Sequence, residues 1–149
     1  MSETYNVYRG SEKVAEGLTV KSFTDTGLSP ATTYKYKVEA VNGDKSAMSD
    51  EITVTTLPIV VSGVALDKTT AEVAVAGTVK LTPTVTPANA TDKSGSWSSS
   101  DTAVATVSGG TVTVKAEATV GGTSDVTFTT KDGGKKATCK ITVIAAEEG

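Results

Sequence analysis

The sequence predicts an all-β protein in two parts. Two of the observations behind this are compositional and periodic: 27 Thr and 20 Val stand against 5 Leu and 4 Ile, and apolar residues alternate with polar ones in short runs closed by Gly, Asn, Asp or Pro. Thr and Val are stiff about χ1 and suit a pleated surface, whereas Leu and Ala fill helices. The third is a seam at Thr55-Thr56-Leu57-Pro58, where an alternating run meets a residue that cannot donate to a ladder. It assigns residues 1–57 to a first domain and 58–149 to a second. All four Tyr lie before the seam, while Val, Thr, Ala, Ser and Gly dominate after it.

In the first domain the alternation predicts strands at about 4–9, 12–16, 20–24, 32–41 and 51–56. Gly10-Ser11, Gly17, Gly27 and Asn42-Gly43-Asp44 supply the turns. Tyr5 and Val7 share one face, as do Tyr34, Tyr36, Val38 and Ala40, and Ile52 and Val54, so these are the expected core positions. In the second domain strands are expected at about 62–67, 71–75, 78–86, 95–98, 103–107, 111–115, 124–130 and 136–144. Val79, Leu81 and Val85 share a parity, as do Val126 and Phe128, and Cys139, Ile141 and Val143, while Asp132-Gly133-Gly134 signals a tight turn. By this parity Cys139 points inward as a small buried hydrophobe.

Composition narrows the chemistry. Without His there is no Ser-His-Asp triad, imidazole base or His-ligated zinc, and with Cys139 alone there is no internal disulfide framework or cysteine metal cluster. A net charge of −3 with the single Arg9 is the opposite of a nucleic-acid-binding balance. No stretch approaches the roughly 20 apolar residues of a membrane span. The start Met-Ser-Glu-Thr-Tyr has neither the basic nor the apolar region of a leader, so the expectation is a chain that stays in the compartment that made it. Asp25, Asp67, Asp92, Asp101, Asp125 and Asp132 are spread singly and form no Asp-x-Asp-x-Asp run, which points to turn capping. No catalytic residue, cofactor or metal site is therefore expected. Asn89-Ala90-Thr91 matches a glycosylation acceptor but reads as a turn, and Lys135 and Lys136 read as a solvated turn.

Two family resemblances refine the fold class. Residues 28–42, Leu-Ser-Pro-Ala-Thr-Thr-Tyr-Lys-Tyr-Lys-Val-Glu-Ala-Val-Asn, resemble the Leu-x-Pro-x-Thr-x-Tyr corner of the fibronectin type III family and the strand it enters. That resemblance implies that Tyr34 is a corner tyrosine with its ring in the core and its hydroxyl on upstream backbone. It covers strands C through G only, two strands short of a seven-stranded module. Residues 61–144 are similar to the bacterial immunoglobulin-like group 2 family. The resemblance rests on Val64-x-Leu66-Asp67, Gly77-Thr78, Val85-Thr86-Pro87-Ala88-Asn89-Ala90, Trp97-Ser98-Ser99-Ser100-Asp101 with Val104-Ala105-Thr106-Val107, and Gly133-Gly134 before Cys139-x-Ile141-x-Val143. It implies a two-sheet sandwich with Trp97 as a packing residue. The expected fold class is thus all-β, two immunoglobulin-like β-sandwich domains in tandem, the first incomplete with about five strands. The expected structural core includes Tyr34, Val38, Trp97, Cys139 and Ile141.

Function is then expected in surfaces. A strand at 20–24 without its neighbour would leave backbone groups unpaired along Val20, Ser22 and Thr24, a candidate partner-facing edge. The partner would be a protein, either capsid or tail subunits or other copies of the chain, with weak host glycan as a further ligand and no nucleic acid. Short chains joining these two pieces resemble tailed-bacteriophage virion proteins, which implies a non-enzymatic decoration protein whose first domain docks while the second projects. The competing expectation is a fragment of a bacterial surface adhesin, or a spacer or binding module of a secreted polysaccharide enzyme.

Overall fold

A computed structural model describes residues 2–148. The chain divides into two compact units, Met1–Pro58 and Ile59–Gly149.

The first unit is one twisted antiparallel sheet. Strand β1 (Thr4–Arg9) pairs with β2 (Glu12–Leu18) on one side and β3 (Thr33–Asn42) on the other. The far edge of β3 is filled by two short strands in succession, β4 (Lys45–Met48) opposite its end and β5 (Ile52–Thr55) opposite its start. Between them Ser49 keeps the ladder satisfied: its N–H donates to the Val38 carbonyl at 2.8 Å and its hydroxyl accepts the Val38 N–H at 2.9 Å. The β1–β2 pairing is irregular between Tyr5 and Val7. There the buried Asn6 accepts the Gly17 N–H at 2.9 Å, and Gly17 takes the left-handed φ of 67° that a side chain would resist.

Two sequence expectations are corrected here. Residues 20–24 form no strand. Their alternation suits one, but β2 ends at Leu18 and no other strand among the described residues offers a ladder, so the pattern alone does not fix the backbone. Val38 does share a face with Val7, its register partner, yet it is 36% exposed, and Ile52 and Val54 are 58% and 45% exposed. Parity identifies the face correctly, but the first unit holds no second sheet among its described residues to cover it. The short strand β4 follows the Asn42-Gly43-Asp44 turn and lies outside the predicted strands, because its four residues are all exposed and show no apolar alternation.

The second unit is a sandwich. One sheet has the order β10 (Gly95–Ser99), β13 (Thr123–Thr130), β14 (Lys136–Ile144), β7 (Thr70–Ala74); β14 and β7 run parallel. The other has β11 (Ala105–Ser108), β12 (Thr111–Val114), β8 (Thr78–Lys80), and β6 (Gly63–Leu66) pairs separately with β9 (Pro83–Thr86). The expected strand at 78–86 is thus two strands, parted at Leu81 and Thr82, which lets Leu81 face one cluster and Val85 another. The main core joins both sheets through Val73, Leu81, Ala105, Val112, Val114, Val126, Cys139, Ile141 and Val143. A second cluster gathers Val61, Val85, Ala90 and Phe128, and half-buried Trp97 packs against both. The Trp97 and Phe128 rings are 5.0 Å apart and tilted by 56°. Gly95 permits this, since any Cβ there would strike the Phe128 ring and the Thr129 carbonyl.

Leu81 is fully buried, so Leu81→Ala is expected to cost about 2–5 kcal/mol by removing transfer energy and leaving a cavity. Ile52→Ala is expected to cost under about 1 kcal/mol. Denaturant titrations check both: Trp97, the sole Trp, reports the second unit and the four Tyr report the first. The Cys139 thiol is fully buried and burial pushes its pKa up, so it is expected to react with thiol reagents only on unfolding.

Candidate interaction surface

The first unit's sheet is two-faced. Register places Val7 beside Val38, Arg9 beside Tyr36, Tyr34 beside Val54 and Tyr36 beside Ile52 on one face; Asn6 beside Glu39 and Tyr8 beside Lys37 occupy the other. The second of these faces is polar and internally bonded. Glu39 accepts from the Asn6 amide at 2.8 Å and the Tyr8 hydroxyl at 3.0 Å, and these two donors, Asn6 first, hold its carboxyl below the usual range. The first face is apolar except for Arg9 at one end.

Residues 19–28 cross this apolar face as an irregular strap. Two grooves adjoin it. One, of about 310 Å³, is lined by Tyr5, Val7, Leu18, Val20, Phe23 and Val38 among others. The other, of about 480 Å³, lies among Phe23, Leu28, Tyr36, Val38, Ile52 and Val54. Among the described residues no strand donates a backbone hydrogen bond to the strap. Its side-chain tether is Asp25, whose Oδ2 accepts from the Tyr36 hydroxyl at 2.6 Å and from Arg9 Nη1 at 2.9 Å, while Oδ1 accepts the Thr26 N–H at 2.9 Å. Tyr36 first and Arg9 second hold the Asp25 carboxyl below the usual range. Arg9 is itself shared: Nη2 reaches Glu12 at 3.0 Å, and the guanidinium carbon lies 5.9 Å from the Tyr34 ring centre. Just past the strap the Ser29 N–H donates to the Tyr34 hydroxyl at 2.9 Å, the corner bond to upstream backbone.

The structure therefore brings Val20, Ser22 and Thr24 to Val38, since the first two line one groove and Thr24 the other. Tyr34 is half-buried in β3 and lines neither groove; Trp97, Cys139 and Ile141 belong to the second unit's interior. Phe23 and Asp25 are the surface's unforeseen members. Phe23 has the opposite parity to Val20, Ser22 and Thr24, and only a strap that abandons the pleat can turn residues of both parities to the sheet. Of the second unit's aspartates, Asp92 and Asp101 cap their own turns by accepting the Ser94 and Ala103 N–H, whereas Asp67 and Asp132 tie segments distant in sequence by accepting the Thr82 and Val61 N–H. Among the described residues no group of three or more acidic or cysteine side chains is placed to hold a metal ion.

An all-β chain with a two-sheet second unit and a one-sheet first unit is a tandem of immunoglobulin-like sandwiches, the first incomplete. The family described as bacterial Ig-like domain (group 2) matches residues 60–141, and the chain belongs to that family. The chain is 41% identical over 93 residues to the "Ig-like virion protein" of Serratia phage KSP90, a match covering 62% of this chain and 35% of that protein. It is also 50% identical over 54 residues to "Exoglucanase B" of Cellulomonas fimi, and 53% identical over 66 residues to an "Alpha-L-arabinofuranosidase" of Bifidobacterium longum subsp. longum. These cover 35% and 43% of this chain but only 5% and 6% of the two enzymes. Among solved structures, domains 1–6 of the surface layer protein SbsC share the fold, with a TM-score of 0.50 at 23% identity over 99% of this chain and 20% of that one.

The low carboxyl pKa values of Asp25 and Glu39 give the first unit a signed pH dependence. Their contribution is present above the unfolded carboxylate value of about 4 and is lost as pH falls from there through the folded values. Acid titration is expected to loosen the first unit below about pH 4, read by tyrosine near-UV circular dichroism. Asp25→Asn with Glu39→Gln is expected to flatten that step; a variant that keeps it would show that other groups carry it.

Proposed function

We propose that the chain is a non-enzymatic structural protein of a tailed-phage virion, with its first unit docked on capsid or tail subunits and its second projecting. The observation that carries this reading is the similarity to the phage virion protein. The apolar face of the first unit supports the docking polarity. Val20, Phe23, Val38, Ile52 and Val54 expose a contiguous apolar surface there, and such surfaces mark protein contacts. The second unit buries its apolar side chains internally and offers Ser-, Thr- and Asp-rich turns, suited to weak contacts with host-surface glycans repeated over many copies.

Mass spectrometry of purified particles of the phage carrying this gene is expected to find the chain at a fixed ratio to a capsid or tail subunit. Ile52→Asp is expected to lower that ratio several-fold while the purified variant keeps its circular dichroism spectrum. Particles lacking the chain would overturn the virion assignment. Full incorporation of the variant would overturn the docking face.

A second reading, a binding or spacer module of a secreted polysaccharide enzyme or of a bacterial surface adhesin, is favoured by the similarity to the two enzymes. Retention of the chain on insoluble polysaccharide, together with its absence from particles, would select it.

A further inference from the structure

We propose that residues 19–28 are a releasable strap, latched across the Val7 and Val38 face by the Asp25 side chain and free to swing away when that latch opens. The inference stands on the first unit's geometry and does not depend on the virion reading.

The strap is held at its two ends and at one point between. Leu18 ends the β2 ladder opposite Tyr5, and Ser29 is fixed by the Tyr34 hydroxyl. Between them the bonds to the sheet are those of Asp25 to Tyr36 and Arg9. Val20, Lys21, Ser22, Phe23 and Thr24 are all exposed. A segment whose backbone groups face water rather than a ladder loses few hydrogen bonds on leaving, so local opening costs far less than unfolding the sheet. What opening uncovers is apolar: Val7, 7% exposed with the strap in place, lies in the groove walled by Val20 and Phe23. The stem that stays behind keeps its own ladder and polar braces. Strands β1 and β3 are joined over six residue pairs, and the Asn6, Tyr8 and Glu39 network lies on the opposite face.

Lys21 places a tryptic site within the strap. Limited trypsin digestion of the full chain, followed by mass spectrometry, measures cutting at Lys21, and amide hydrogen exchange measures protection in β1 and β3. Asp25→Asn is expected to speed cutting at Lys21 several-fold with β1 and β3 protection unchanged. Tyr36→Phe, which spares the ion pair with Arg9, is expected to speed it less. Cutting of Asp25→Asn at the wild-type rate would overturn the latch. Faster cutting accompanied by lost protection in β1 and β3 would overturn the strap as a separate moving part. Should Asp25→Asn fail to fold, Tyr36→Phe decides alone: faster cutting with the strands still protected supports the strap, and an unchanged rate overturns it.

Discussion

A β-sheet whose one face is apolar must have that face covered, and each unit answers this constraint in its own way. The second unit covers it from within. Both of its sheets turn Val, Ile and Leu side chains inward, and even the polar Ser124 and Thr130 are accommodated in that interior because their hydroxyls are bonded, Ser124 to Ser99 and Thr130 to the Asp132 carbonyl. The first unit has a single sheet among its described residues, and an irregular ten-residue segment lies where a second layer would sit.

That substitution explains why the first unit is rich in side-chain bonds. A sheet backed by another sheet is held by the area the two bury. A sheet backed by a strap needs specific ties, and Asp25, Tyr36, Arg9, Tyr34 and Ser29 supply them on one face while Asn6, Tyr8 and Glu39 brace the other. Polar ties of this kind are directional and hold one arrangement in place, but each contributes little once water competes for it. The exposed apolar residues of the first unit and its polar braces are two results of the same missing area.

The sequence was most legible where local pattern and tertiary environment agree. Val126 with Phe128, and Cys139 with Ile141 and Val143, alternate in strands that have neighbours on both sides, so parity alone gives their burial. Val38 shows the limit of that inference. Its parity places it beside Val7, but its exposure depends on a layer the pattern cannot report. Val20, Ser22 and Thr24 show a further limit, since a strand is a relation between segments and alternation describes only one of them. The importance of Asp25 was hidden for a related reason: it looks like any other turn aspartate until Arg9 and Tyr36, 16 and 11 residues away, come within bonding distance.

The parallel pairing of β7 with β14 has a mechanical meaning. Their register runs from Thr70 opposite Lys140 to Ala74 opposite Ile144, and the chain reaches the start of β7 before it leaves from the end of β14. Tension that has passed β6 therefore pulls these two strands along their length in opposite directions. The rungs between them are strained side by side, and none can be peeled before the next.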